Sequence, residues 1–403
     1  MEGLATGSLA SLRERNRRSL ISSLSERGMA SRADLARLTG LSRSTVSSLV
    51  AEMQATGLVE ERHASASGGR PGVLLALSRG AGVVVAADFG HHRLRVAVFD
   101  LAHSVLGEAV HDVDIDEPAD AAMATAVAAI HDTMDQAGAR MDEVVGVGMG
   151  LPGPISRDTG TLGSSTILPA WVGVPVAAAM SDRLGVPVYA DNDANLGVLA
   201  EVTFGAGRGC TEAAYLKISS GIGAGLYMDG HIFRGNNGTA GEIGHVILDE
   251  DGLVCRCGNR GCLETLAGEQ GIVDALRRSH GPDIDLARVL ELAKGGDLGC
   301  ARMIADAGAA IGRAAASLCN LFNPQRVIVG GSLSPAGDLL LEPLRNSIER
   351  YAIPSAASDV KIVPGELGAR TVTLGALALV IAESDRLVGG TSTHPPASTA
   401  VGA

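Results

Sequence analysis

Three cysteines lie within eight residues of this chain, and a histidine precedes the first of them by ten residues. The four residues are His245, Cys255, Cys257 and Cys262. One imidazole and three thiolates make up a tetrahedral donor set that structural zinc sites use, and Gly258 and Gly261 allow tight turns between them. The cluster predicts structural Zn²⁺. Four protein ligands leave no open position for catalysis, and the alternative is a group of buried thiols without metal.

The other cysteines, Cys210, Cys300 and Cys319, are scattered among small or apolar neighbours. This spacing argues against a disulfide framework and fits a reducing compartment. The first residues are polar and arginine-rich, and no run of eighteen apolar residues occurs. We therefore expect a cytoplasmic protein with no signal peptide and no membrane-spanning helix.

Charge is unevenly distributed along the 403 residues, whose formal net charge is −12. Residues 1–80 contain eleven arginines and seven acidic residues, a net charge of +4, and the remainder carries −16. The asymmetry favours a basic nucleic-acid module fused to an acidic globular body, although chance variation in a short window is the alternative. We expect a DNA-binding domain over 1–80, a ligand-sensing domain over 81–385 and a disordered tail rich in Gly, Ser, Thr, Pro and Ala over 386–403.

The first part of the chain has the pattern of a helix-turn-helix. An amphipathic helix over 13–27 ends at Gly28, and Ser31 with Asp34 forms a capping-box variant at the start of a second helix. A turn at 39–41 leads to Ser42, which is placed to cap a third helix that ends near residue 56. Two short helices, a glycine-containing turn and a third helix predict DNA binding. A three-helix module used for protein contacts is the alternative.

The third helix is the predicted recognition helix, because its first turns carry small, hydrogen-bonding side chains. Strands over 57–60 and 73–77 then flank the segment Gly68-Gly69-Arg70-Pro71, which predicts a wing whose arginine enters a minor groove or holds a phosphate. The predicted DNA contacts are Ser42, Arg43, Ser44, Thr45, Ser47 and Arg70.

The body alternates strand and helix patterns, so its class is α/β. Predicted strands cover 82–88, 94–100, 144–150, 187–190, 213–218 and 326–329, and predicted helices cover 121–134, 194–203, 300–321 and 338–349. The hairpin-opening segment Asp88-Phe89-Gly90 has a counterpart in Ser219-Ser220-Gly221. The repetition indicates two similar lobes with a cleft between them.

Four polar residues near the cysteine cluster or at a predicted strand end suit recognition of a polyol. They are Asn192, Asp193, Glu242 and Glu264. Carboxylates and amides bind vicinal hydroxyls, and Asp193 could also act as a base on a hydroxyl. The alternative for Asn192 or Asp193 is a plain helix N-cap.

Several motifs together resemble the ROK family (repressors, open reading frames and kinases) in its repressor branch, over about 13–383. The motifs are Gly68-Gly69-Arg70-Pro71, Gly150-Leu151-Pro152-Gly153-Pro154, Asn192-Asp193-Ala194-Asn195, Gly221-Ile222-Gly223-Ala224-Gly225, Gly241-Glu242-Ile243-Gly244-His245, the segment from Cys255 to Glu264, and Gly330-Gly331. The cysteine segment is the most specific of these.

The resemblance implies an N-terminal winged helix-turn-helix followed by two actin-like, ribonuclease-H-like lobes. It implies that His245 binds zinc through one ring nitrogen and a sugar hydroxyl through the other. It also implies sugar contacts from Asn192, Asp193, Glu242 and Glu264, with further contacts from Gly153, Thr166 and Gly221. In the family's kinases the residue matching Asp193 is the general base for phosphoryl transfer.

One segment departs from the family's kinases, which carry an Asp-x-Gly-Gly-Thr phosphate loop. Here the segment is Asp88-Phe89-Gly90-His91-His92-Arg93, without the second glycine and the threonine. That loop works by close approach of backbone N–H groups to phosphates. We therefore expect no catalytic activity, and Asp193 would remain as a vestigial base that contacts ligand.

These observations predict a sugar-responsive transcription regulator, a repressor of carbohydrate uptake or metabolism genes. The expected partners are a near-palindromic DNA operator, a sugar or sugar phosphate, and a second copy of the chain in a homodimer or tetramer. An ATP-dependent sugar kinase, and a repressor controlled by a protein such as a sugar transporter, are the alternatives.

Overall fold

The computed structural model describes residues 9–63, 73–156, 159–163 and 168–388. Two predicted site residues, Arg70 and Thr166, lie outside the described residues, as does the whole 68–71 motif. None of the helices in the described ranges is long and apolar enough to cross a membrane.

The N-terminal region is a winged helix-turn-helix, as predicted. Its elements are α1 (Leu9–Arg27), α2 (Arg32–Thr39), α3 (Arg43–Ala55), β1 (Val59–His63) and β2 (Val73–Leu77). Ser31 and Asp34 form a reciprocal capping box on α2, and the Ser42 hydroxyl accepts a hydrogen bond from the Thr45 N–H at the start of α3. Gly40 ends α2 in the left-handed conformation, with φ 69°. Strands β1 and β2 pair antiparallel as the wing.

The body contains two lobes, each built on a five-stranded sheet. The elements of the first lobe are β3 (Val83–Phe89), β4 (Arg93–Asp100), β5 (Val105–Asp112), α4 (Ala119–Ala137), β6 (Val144–Leu151), α5 (Val176–Leu184) and β7 (Val188–Asn192). Helix α6 (Asp193–Phe204) follows. The second lobe contains β8 (Ala213–Ile218), β9 (Ile222–Met228), β10 (His231–Ile232), α7 (Leu263–Ala267), α8 (Glu269–His280), α9 (Leu286–Lys294), α10 (Leu298–Phe322), β11 (Arg326–Gly330), α11 (Asp338–Tyr351), α12 (Pro354–Ala357) and β12 (Lys361–Pro364). The last helices are α13 (Thr371–Glu383) and α14 (Asp385–Val388).

The two sheets have the same topology. Their strand orders are β5-β4-β3-β6-β7 and β10-β9-β8-β11-β12. In each sheet the first three strands along the chain are antiparallel neighbours; these are β3, β4 and β5 in one sheet and β8, β9 and β10 in the other. The remaining two strands, β6 and β7 or β11 and β12, run parallel to β3 or β8. The repeat that the sequence indicated is therefore a repeat of the whole sheet.

Helices α6 and α13 lie between the lobes. Helix α6 packs on α13 and on β8 and β9, and α13 packs on β3 and β6. Ten of the thirteen residues of α13 are buried, as expected for a helix that is apolar on all sides. Two closely packed helices therefore connect the sheets.

Some elements differ from the sequence prediction. The glycine run 221–225 was not among the predicted strands, but most of it belongs to β9. Glycine is required at position 225, because α6 lies so close that a Cβ there would be 2.0 Å from the Ala194 oxygen. The tail was predicted to begin at residue 386, but residues 386–388 continue helix α14, in which Leu387 is buried.

The DNA-binding module shares a hydrophobic core with the first lobe. Leu20 and Leu24 of α1 belong to the same buried cluster as Leu377 and Val380 of α13. Helix α1 is therefore packed against the helix pair that connects the lobes.

His103, in the turn between β4 and β5, reinforces this junction. Its Nε2 lies 3.0 Å from the Ser25 hydroxyl of α1, and its ring packs edge-on against Phe204 at the end of α6. Burial lowers the pKa of His103 to about 4, although the nearby Asp100 opposes the shift. The folded protein therefore holds this imidazole neutral.

The junction should be sensitive to acid. Because the folded pKa of His103 lies below the unfolded value, its contribution is complete above about pH 6.5 and is lost as the pH falls towards 4, at a cost of roughly 3 kcal/mol. We expect His103→Asn, which suits the residue's φ of 69°, to flatten the decline of Tm between pH 7.5 and pH 5. The control, His231→Asn on an exposed site, should follow the wild type. A decline equally steep in both variants would contradict this role.

Candidate functional site

The predicted recognition helix presents a polar surface. Ser42, Arg43, Ser44 and Ser47 are exposed and Thr45 is half-buried, while Val46, Leu49, Val50 and Met53 form the buried face of α3. The Ser42 hydroxyl accepts the capping hydrogen bond of α3 and also lies 2.9 Å from the Ser44 hydroxyl. Arg43 has no ion-pair partner among the described residues. Its exposed guanidinium is therefore not held in an ion pair within this part of the structure.

The four predicted metal ligands come together. Their donor atoms all lie within 4.8 Å of one another. His245 Nδ1 is 3.6 Å from Cys255 Sγ, and Cys257 Sγ is 3.6 Å from Cys262 Sγ. Sulfur atoms about 2.3 Å from a shared tetrahedral zinc would be separated by about 3.8 Å. These four residues form a group that can hold a metal ion.

Two features of the loop bear on metal binding. A Cβ at Gly261 would lie 1.5 Å from the Asp249 oxygen, so glycine is required where the chain returns to Cys262. Burial raises the pKa of the Cys262 thiol to about 12. Without a cation this sulfur is therefore a neutral thiol, and metal binding would require its deprotonation.

A cleft between the lobes brings together most of the predicted ligand residues. It is lined by seven of the eight, namely Gly153, Asn192, Asp193, Gly221, Glu242, His245 and Glu264. The eighth, Thr166, lies outside the described residues. The cleft volume is about 70 Å³, small beside ligand pockets of about 300–1,000 Å³. The cleft is therefore smaller than a typical ligand pocket in this conformation.

The histidine that faces the cysteines also faces this cleft. His245 Nε2 lies 3.8 Å from a Glu242 oxygen. Burial, together with the charges of Asp193 and Glu264, raises the pKa of Glu242 to about 7. Glu264, at the start of α7, accepts a hydrogen bond from the Ile222 N–H at 3.2 Å. The metal-ligand group and the cleft are thus contiguous.

Asp193 forms a buried ion pair that the sequence did not indicate. Lys217 of β8 donates to its carboxylate. Burial alone would lower the pKa of Lys217, but Asp193 and Asp88 outweigh it and raise this pKa. Burial raises the pKa of Asp88, whose Oδ1 has no hydrogen-bond partner within the described structure. The ammonium group of Lys217, from the second lobe, therefore compensates the charges of two carboxylates, those of Asp193 and Asp88.

Asn192 acts as a helix N-cap, which was the alternative interpretation of this residue. Its Oδ1 accepts hydrogen bonds from the N–H groups of Ala194 and Asn195 at 2.9 and 3.2 Å. Its Nδ2 donates to the Gly153 oxygen at 3.0 Å. The side chain fixes the start of α6 beside Gly153, and one amide hydrogen remains for a ligand.

Sequence reasoning missed four other charged or polar residues of the cleft region: Lys217, Asp191, Arg234 and Arg256. Arg234, which follows β10, donates through Nε to buried Asp191 at 2.9 Å and so joins the lobes. Arg256 Nε lies 3.7 Å from Glu264. The one available signal was a lone lysine inside the apolar strand pattern 213–218.

Comparison with known proteins agrees with this architecture. Residues 84–383 match the model of the ROK family, and residues 19–71 match that of the MarR family. The xylose repressor of Caldicellulosiruptor bescii is 30% identical over 386 residues, which cover 92% of this chain and 96% of the repressor. The glucokinase of Thermotoga maritima is 35% identical over 254 residues, covering 59% of this chain and 80% of the kinase.

Solved structures show the same relationship. A ROK family transcriptional regulator, described as a homologue of the E. coli Mlc protein, superposes with a TM-score of 0.77 at 26% identity, covering 94% of this chain and 98% of that one. A ROK family glucokinase from Streptomyces griseus superposes with a TM-score of 0.66 at 27% identity, covering 74% and 99%. This chain belongs to the ROK family and carries a MarR-type winged helix-turn-helix at its N-terminus.

Proposed function

We propose that this protein is a cytoplasmic, DNA-binding transcription regulator, a repressor of carbohydrate uptake or metabolism genes, that responds to a sugar or sugar phosphate. The observation that carries the proposal is the presence, in one chain, of a capped recognition helix and a cleft lined by predicted polyol-binding residues. The xylose repressor and the Mlc-like regulator match this chain over 96% and 98% of their own lengths, which include both of its domains.

The ligand would bind in the cleft between the lobes. Asp193, Glu242 and His245 offer acceptors and a ring nitrogen at one site, which suits vicinal hydroxyl groups. Glu264, Asn192, Gly153, Gly221 and Thr166 complete the proposed ligand set. Because the cleft is smaller than a typical ligand pocket, we expect the lobes to separate when a sugar enters.

The metal would be structural zinc held by His245, Cys255, Cys257 and Cys262. Zinc would hold the loop between Glu242 and Glu264 in one conformation. Its coordination would orient the His245 ring, so that Nε2 points to the ligand. The loop and both carboxylates would thus be positioned by one ion.

Ligand control of DNA binding would pass through the packed helices. Helix α6 begins at the cleft with Asp193, packs on α13, and α13 packs on α1 of the DNA-binding module. A ligand shifts this arrangement only by its different affinities for two lobe positions. In a homodimer or tetramer, such a shift would change the spacing of two recognition helices on a near-palindromic operator.

A catalytic role is the second candidate, favoured by the retained Asp193 and the similarity to glucokinase. Against it, residues 90–93 form a tight hairpin turn in which the Gly90 N–H donates to the Arg93 oxygen, and His91 lines the cleft. No glycine pair or threonine is present there to approach a phosphate. ATP-dependent phosphorylation of glucose, N-acetylglucosamine, mannose or xylose by the purified protein would demonstrate kinase activity.

Control by a protein such as a sugar transporter is a further alternative. In that case, addition of the transporter would abolish DNA binding, and sugars would have no effect on it.

The DNA-binding half of the proposal is tested at Arg43. Arg43→Ala should weaken binding to the protein's own promoter region about tenfold and reduce the slope of log K against log salt by about 1, because one phosphate contact is lost. Fluorescence anisotropy across a salt series measures both quantities. Arg302→Ala, which removes an exposed arginine of α10, is the control. Equal affinities and slopes in the two variants would rule out the proposed orientation of α3.

A further inference from the structure

A second cavity lies at the junction of the DNA-binding module and the first lobe, away from the cleft. Its volume is about 600 Å³, within the range of small-molecule sites. Its walls come from α1, the end of α3, the connecting segment 79–82, the end of α4, the start of β6, and α14. An occupant would therefore touch both domains at once.

Three arginines from three separate segments line this cavity: Arg17, Arg79 and Arg386. Arg17 Nε is buried and has no hydrogen-bond partner in the described structure. Burial lowers the pKa of Arg17, and Glu52 only partly opposes this shift. Burial disfavours the charge of this guanidinium, and an anion in the cavity would stabilise that charge through the terminal nitrogens of the group.

The acidic residues on the opposite wall are already engaged. Asp142 pairs with the Arg140 guanidinium, and Glu143 accepts a hydrogen bond from the Arg140 N–H at 2.8 Å. Arg386 uses one nitrogen on the Val144 oxygen, and Arg79 lies 3.7 Å from Asp100. Arginine donors therefore remain for an anion.

We propose that this junction cavity binds a small phosphate monoester, as a site separate from the sugar cleft. Planar guanidinium groups suit bidentate contacts with phosphate oxygens. The apolar wall, which includes Leu58, Leu106 and Leu387, accommodates the carbon part of the molecule. The bound anion would contact both domains and fix the orientation of the winged helix-turn-helix relative to the first lobe. Operator binding would change as a result.

Calorimetric titration of the full-length protein with glycerol 3-phosphate, in phosphate-free buffer without DNA, tests this site. We expect one molecule bound per chain, at least tenfold weaker binding in Arg17→Gln and in Arg79→Gln, and no binding of glycerol. Two variants are used because Arg17 also contributes to packing of α1.

Two controls separate this site from the others. Glu242→Gln, in the sugar cleft, and Arg43→Ala, on the recognition helix, should bind glycerol 3-phosphate as the wild type does. Absence of binding to the wild type, or equal binding in the wild type and both junction variants, would overturn the proposal. Loss of binding in Glu242→Gln alone would place the anion in the sugar cleft and would also overturn it.

Discussion

Replacement of Cys262 by serine should remove one metal ion per chain and weaken effector binding at least tenfold. Cys262 is fully buried and lies between the turn that carries His245 and helix α7, which carries Glu264. If the ion holds the loop that positions the cleft carboxylates, as proposed, its loss would free that loop, and disturbing the groups that orient a metal site typically costs 10- to 100-fold in affinity or activity. The loss of coordination should also lower stability by roughly 3 kcal/mol, or Tm by about 10 °C.

Metal analysis, calorimetry and thermal unfolding of the same preparation measure these three effects. Cys210→Ser, at a half-buried cysteine outside the ligand group, is the matched control and should keep its metal. Full metal content in Cys262→Ser, or metal loss with unchanged effector affinity, would contradict the role given to the cluster.

Lys217→Met should destabilise the protein by roughly 3–5 kcal/mol, because it leaves the buried carboxylates of Asp193 and Asp88 without their cation. The loss should be smaller at acidic pH, where a carboxylate with a raised pKa becomes protonated and neutral. Adding Asp193→Asn to this variant should restore part of the stability. Effector affinity should fall in both variants, since both disturb the cleft.

Thermal unfolding at pH 7.5 and pH 5 measures the effect on stability. Lys361→Met, which removes an exposed lysine of β12, serves as the control. If Lys217→Met and Lys361→Met unfold at the same temperature, the ion pair does not support the cleft.

Local sequence patterns predicted the parts of this protein that depend on neighbouring residues. The caps at Ser31 and Ser42 and the spacing of the cysteines each act over a few residues, so the helix-turn-helix and the metal-ligand group were predictable from sequence. The repeated hairpin segment indicated two lobes, and the resemblance then supplied their actin-like fold and extended the ligand set.

Pairs formed across the lobes were not predictable in the same way. Lys217 and Asp193 are 24 residues apart, and Arg234 and Asp191 are 43 apart. No periodicity links these positions, and only the packing of α6 against β8 and β9 brings the first pair together. Strand β9 was not predicted for a related reason, since its glycines weaken a strand pattern and allow the close packing of α6.

Binding of the purified protein to its own promoter region, across a panel of sugars and sugar phosphates, tests the central claim most directly. The account predicts specific binding that one member of the panel abolishes or enhances, with the response lost in Glu242→Gln while DNA binding persists. Specific binding that no sugar alters would indicate that a protein partner, rather than a sugar, regulates DNA binding. The absence of specific binding at any salt concentration, together with sugar phosphorylation by ATP, would contradict the account.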